Sequence, residues 1–99
     1  MIIPYRFASA AEEELAKSIL FYKDISPELA DDFVRQLDRV IELLRRSPNL
    51  GTPTDGSLRK FPLTRFPFTI HYRIESETIV IYAVAHQSRR PGYWRSRLS

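Results

Sequence analysis

From Thr78 to Ala85 the chain reads Thr-Ile-Val-Ile-Tyr-Ala-Val-Ala, an apolar β-type run with almost no alternation. Such a run needs both of its faces covered, which predicts a central strand. The run before it behaves differently. In residues 66–74, Phe66, Phe68, Ile70, Tyr72 and Ile74 fall at every second position, with Thr69, His71 and Arg73 between them. That spacing puts the five apolar residues on one side of a pleated strand and leaves the other side polar. The turn-prone Glu75-Ser76-Glu77 joins the two runs into a hairpin. The residues after Ala85 then leave the end of a buried strand.

The N-terminal half is helical in pattern. Ser9-Ala10-Ala11-Glu12 has capping-box spacing, and Glu13 and Glu14 add negative charge at the positive end of a helix dipole. Ala11, Leu15, Ile19 and Tyr22 form an apolar stripe ending near Asp24. Ser26 is a natural N-cap for a second helix, and Pro27 suits its first position. Ala30, Phe33, Leu37, Val40, Ile41 and Leu44 hold one face of that helix, and Ser47-Pro48 stops it. So short a connection at Asp24–Ser26 predicts an antiparallel helix hairpin.

Ile2 to Phe7 reads as a short strand, with Pro4 favouring an edge or a strand start. Asn49 to Ser57, with two Gly, one Pro and two Thr, reads as a loop. Leu58 to Leu63 reads as a short strand, bulged or at an edge because of Pro62, and Tyr93 to Ser99 as one helical turn or a frayed end. The order is β-α-α-β-β-β. It predicts a two-layer α+β fold, with the helix hairpin packed on a small, mostly antiparallel sheet of three or four strands. Ninety-nine residues suit one domain, 1–99. The opening residues are too quickly charged for a secretory signal, and the absence of cysteine fits a reducing compartment.

Charge is unevenly spread. Residues 1–56 hold seven Lys/Arg against ten Asp/Glu, and residues 57–99 hold eight against two. A basic C-terminal face attracts nucleic acid, a ribosome or an acidic protein, although a solvated surface balanced by the acidic helices accounts for the same skew. No Gly-rich phosphate loop, nucleophile elbow or paired metal-ligand spacing occurs, so neither a metal nor a cofactor is expected. What remains is Arg59, Lys60, Arg65, Arg73, His86, Arg89 and Arg90, with Tyr93 and Trp94 close by. Cations and an imidazole of this kind equip a metal-free ribonuclease, which needs a base, an acid and fixed positive charge around the strained phosphate. The same arginines also read as solvent-facing strand ends, and Tyr93 and Trp94 as rings folded back onto the sheet.

These residues resemble the RelE/ParE superfamily of toxins from bacterial type II toxin-antitoxin modules. The likeness is carried by Arg65-Phe66-Pro67-Phe68-Thr69-Ile70-His71-Tyr72-Arg73, by Ile79 to Ala85, and by His86-x-x-Arg89-x-Pro91-x-Tyr93-Trp94. Phe21-Tyr22, Ala30-x-x-Phe33 and Ser47-Pro48-x-x-Gly51 agree with it. The resemblance implies a small cytoplasmic toxin neutralised by an antitoxin. The ribosome-dependent RNase branch has a basic side chain where this chain has Thr69, whereas Lys60 and His86 match positions of that branch. The Phe-Pro-Phe phrase and the tail look more like the ParE branch, whose characterised members poison DNA gyrase without hydrolysing anything themselves.

The expectation is thus a ParE-like toxin that binds a DNA-processing target through Arg59, Lys60, Arg65, Arg73, His86, Arg89, Arg90, Tyr93 and Trp94. An mRNA interferase is the alternative, with Lys60, Arg65, His86, Arg89 and Tyr93 as its catalytic candidates. A non-toxic basic nucleic-acid-binding domain is a third reading. The antitoxin is expected to be an acidic, amphipathic segment that folds on binding, with Phe21 and Ile25, off the main helical stripe, as its contacts.

Overall fold

The computed structural model describes residues 2–98, so Ser99, the last residue of the predicted tail, lies outside the described residues. The chain runs β1 (Tyr5–Phe7), α1 (Ser9–Ile25), α2 (Pro27–Arg46), β2 (Thr52–Pro53), β3 (Arg59–Pro62), β4 (Phe68–Glu75) and β5 (Thr78–His86). The five strands are ordered β1-β5-β4-β3-β2, with β1 parallel to β5 and every other pair antiparallel. The sheet thus has one strand more than the three or four expected. The extra one is β2, inside the segment read as a loop, where Thr52 pairs with Lys60 and Pro53 with Arg59. Its two residues suffice to extend the sheet because Gly51 brings the chain against Tyr72, close to the Lys60 carbonyl.

The helices form as their stripes predict, with one difference at the start of α1. Ser26 accepts from the Leu29 amide at 3.3 Å and caps α2, with Pro27 at its start. Ser9, by contrast, does not cap α1. Ala8 holds the N-cap position without a side-chain bond. The Ala8 amide donates to Ile81 O at 2.9 Å, so its backbone is fixed as the exit of β1 and the helix begins one residue earlier than a capping box requires. The apolar faces of both helices then meet β4 and β5 in one core, where Tyr22, Phe33, Phe66 and Phe68 pack with ring centroids 5.1–6.2 Å apart.

The absence of alternation in β5 has a local cause. His71 pairs with Ala83 but Tyr72 pairs with Ile81, so Tyr82 is the extra residue of a β-bulge. The phase slips there. Ile79, Ile81 and Val84 face the helices, while Val80, Tyr82, Ala83 and Ala85 join Leu58 and Trp94 in a second core on the opposite side. The covering of that second side is the C-terminal tail, which ends in a 3-10 turn at Arg95–Leu98.

Ser76 and Glu77 close the hairpin with φ of 50° and 58°. Two left-handed residues in a two-residue loop make the turn that matches strand twist, but side chains resist that backbone. Glu77→Gly should therefore stabilise the chain by about 0.5–1 kcal/mol, roughly 3–6 °C in Tm by thermal unfolding.

Candidate functional site

Pairing of Lys60 with His71 and of His71 with Ala83 aligns β3, β4 and β5 side by side. Lys60, Thr69, His71 and Ala85 floor a cleft of about 410 Å³, which Thr54 and the tail segment 86–95 wall. This cleft lies on the side of the sheet away from the helices.

Six of the nine residues expected to meet the target line the cleft: Lys60, His86, Arg89, Arg90, Tyr93 and Trp94. The other three lie elsewhere. Arg59 donates to the carbonyls of Asn49 and Gly51 at 3.0 and 2.7 Å, holding the β2 segment in place. Arg73 pairs with Glu75 at 2.7 Å and reaches the Tyr82 hydroxyl at 3.3 Å, near the hairpin turn. Arg65 sits in the β3–β4 connection, where its amide donates to Gln36 of α2 at 3.2 Å. The basic half of the sequence is therefore not one basic face, because several arginines serve the fold.

Trp94 is 6% exposed, and its ring lies 4.4 Å from that of His71 at 33°. Burial, and then the charge of Lys60, lower the His71 pKa to about 4, so this imidazole is neutral near pH 7. Its Nδ1 and the Thr54 hydroxyl are buried without a hydrogen-bond partner. His86, at the end of β5, is exposed, and its Nδ1 accepts from the Ser88 amide at 3.0 Å. Among the described residues, no carboxylate lines the cleft, and Lys60, Arg89 and Arg90 form no ion pair.

The tail is anchored to α1 by Glu14. Tyr93 donates its hydroxyl to Glu14, Arg97 pairs with it at 2.8 Å, and the Val84 amide donates to it at 3.2 Å. The need for this arises in the sheet. Pairing of β1 reaches β5 only as far as Ile81, which leaves the edge of β5 open beyond that point. Glu14 takes the Val84 N–H there, and Arg97 donates to Tyr82 O at 3.1 Å. Burial by itself raises the Glu14 pKa, but the bonds from Arg97, Tyr93 and Val84 outweigh it and hold the carboxyl below its ordinary value. The Tyr93 hydroxyl is pushed up to about 12 by burial and then by Glu14. The guanidiniums of Arg89 and Arg97 stand over its ring, 4.0 and 5.1 Å from the centroid.

A family model, the ParE toxin of the type II toxin-antitoxin system parDE, matches residues 5–91. The chain belongs to the ParE toxin family. Toxin ParE2 of Mycobacterium tuberculosis is 26% identical over 95 residues, which span 95% of this chain and 90% of that protein. Among solved structures, the chromosomal ParDE system from P. aeruginosa superposes with a TM-score of 0.74 at 21% identity, over 86% of this chain and 96% of that one. A mutant of E. coli toxin RelE in the free state matches over the full length of both chains, with a TM-score of 0.68 at 14% identity. The RelBE2 toxin-antitoxin complex from Mycobacterium tuberculosis matches with a TM-score of 0.59 at 23% identity, over 87% of this chain and 99% of that one. The structural likenesses establish a shared ParE/RelE fold.

The ParE family match stops at Pro91, just before the Tyr93-Trp94 pair that closes the cleft. Phe21 and Ile25 stand out from α1, 63% and 62% exposed. Phe21 also lines a groove of about 370 Å³ with Phe68, His86 and Arg89, so the exposed helix face and the cleft adjoin at His86 and Arg89. Among the described residues no group of His, Asp and Glu is placed to hold a metal, and no helix is long and apolar enough to cross a membrane. Sequence reasoning missed Glu14, Arg97, His71, Thr54 and Arg95. Glu14 reads as one of three glutamates at a helix start, and its pairing with Arg97 spans 83 residues, beyond the reach of any local spacing rule.

Proposed function

We propose that this ParE-family chain is the toxic member of a two-protein module. When free it docks through the cleft on a DNA-processing enzyme, with DNA gyrase as the target, and a cognate antitoxin holds it inactive. The observation that carries this reading is the incompleteness of the RNA-cleavage set. Of Lys60, Arg65, His86, Arg89 and Tyr93, four line the cleft, but Arg65 lies beside α2 and the Tyr93 hydroxyl is engaged by Glu14. Thr69 occupies the cleft floor where the RNase branch would have a cation. A docking surface, in contrast, needs unpaired cations on an accessible wall, and Arg89 and Arg90 meet that need. The solved ParDE and RelBE2 relatives are toxin-antitoxin systems, which supports an antitoxin here as well. Leu20, Phe21 and Ile25 offer such a partner an apolar strip on α1.

The second reading, an mRNA interferase, is favoured by Lys60, His86 and Arg89 sharing one cleft. One experiment separates the two. Purified protein is incubated with gyrase, ATP and supercoiled plasmid, while transcripts are mapped by primer extension soon after induction in cells. Linear plasmid with intact transcripts is expected. Transcripts cut at codons with unaltered plasmid would replace the gyrase reading with the interferase one.

A further inference from the structure

We infer that the cleft binds the phosphodiester backbone of duplex DNA, with Lys60, Arg89 and Arg90 as the phosphate contacts and no readout of bases. The inference rests on the gyrase reading in one respect: it names the DNA segment of the gyrase-DNA complex as the surface the cleft meets.

Two features of the cleft favour a phosphate backbone. Lys60, Arg89 and Arg90 line it without an ion pair, and no carboxylate among the described residues lines it to repel an anion. Arg95, also in the lining, is paired with exposed Asp55 at 3.0 Å, so its charge is already matched.

Duplex rather than single-stranded nucleic acid is indicated by the rings. Single strands are held chiefly by bases stacked on aromatic faces. Neither large ring in this cleft has a face to give. Trp94 is 6% exposed and lies against His71, and the guanidiniums of Arg89 and Arg97 stand over the Tyr93 ring. A duplex keeps its bases stacked inside and presents only phosphates to such a wall. The concave floor with the tail as its wall suits one strand's backbone.

Fluorescence anisotropy of the full chain with a labelled duplex, the corresponding single strand and an RNA of the same sequence tests the inference. Three phosphate contacts predict a slope of log K against log[salt] of about −2.7, or roughly a forty-fold loss between about 50 and 200 mM salt. Lys60→Ala, Arg89→Ala and Arg90→Ala should each flatten the slope by about 0.9, and Arg39→Ala, on the exposed side of α2, should leave it unchanged. A flat slope, or tighter binding of single-stranded RNA than of duplex, overturns the inference. Gyrase-dependent plasmid linearisation is scored on the same variants. Loss of DNA binding with linearisation intact sinks the DNA site and spares the gyrase reading, whereas salt-dependent DNA binding without linearisation spares the site and sinks that reading.

Discussion

Glu14→Ala is expected to destabilise the chain by about 3 kcal/mol and to loosen the tail from the sheet, since removing one member of a largely buried pair leaves its partners unsatisfied. The Glu14 and Arg97 side chains are 15% and 20% exposed, so water reaches the pair poorly. Three donors lose their acceptor at once: the Tyr93 hydroxyl, the Arg97 guanidinium and the Val84 amide. Denaturant unfolding measures the loss, and hydrogen exchange at the Val84 amide locates it. Glu14→Gln should recover part of the stability, because an amide oxygen still accepts, but the charge opposite Arg97 is gone. The carboxyl also makes stability depend on acidity. Its pKa when folded lies below the ordinary 4.5, so its contribution is complete above that value and is lost as the pH falls through the folded pKa. In Glu14→Ala that component of acid destabilisation should disappear.

The consequence for the site is indirect. Glu14 holds Tyr93, and the Tyr93 ring carries the Arg89 guanidinium on its face. Arg89 therefore stands over the cleft because an acidic residue on the helical layer fixes the ring beneath it. In the docking reading proposed above, stability and target binding are joined at this point, through a contact between the C-terminal tail and the first helix.

How much of this was legible in the sequence depends on the range of the interaction. Each residue assigned to the buried face of α2 is buried, because a twenty-residue amphipathic helix declares its face through spacing alone. The demand that β5 be covered twice was also legible, but its phase was not. The bulge at Tyr82 shifts the side chains by one position and is set by pairing with β4, a tertiary event. The cleft was half legible. Residue type and proximity in sequence brought out Lys60, His86 and the tail. Distances across the fold decided that Arg59 and Arg73 serve carbonyls, a carboxylate and a hydroxyl instead. Arg89 and Arg90, adjacent in sequence, both line the cleft because the chain turns at His86–Arg89 and again at Arg90–Tyr93.

Gly51→Ala should cost about 3 kcal/mol although its backbone conformation suits any residue, its φ being −66°. The limit is space. A Cβ at this position would lie 2.6 Å from the Tyr72 hydroxyl, 2.8 Å from its ring and 3.0 Å from the Lys60 carbonyl. Tyr72 cannot yield easily. It is fully buried, its hydroxyl accepts from the Gly51 amide at 2.9 Å, and it donates to Pro48 O at 2.7 Å. The added methyl group must therefore push the chain away from β4, breaking the amide bond and straining the carbonyl one. Tyr72→Phe separates the two effects: it removes both hydrogen bonds without adding volume and should cost about 1–3 kcal/mol. Combining the two changes should give less than their sum, since both act on the same contact. Equilibrium unfolding of the two single variants and the double variant measures that coupling. Gly51→Ala at wild-type stability would mean that the segment from Pro48 to Pro53 can move off the sheet freely. It would then no longer hold that β2, and the Thr54 wall of the cleft beyond it, are kept in place by Tyr72.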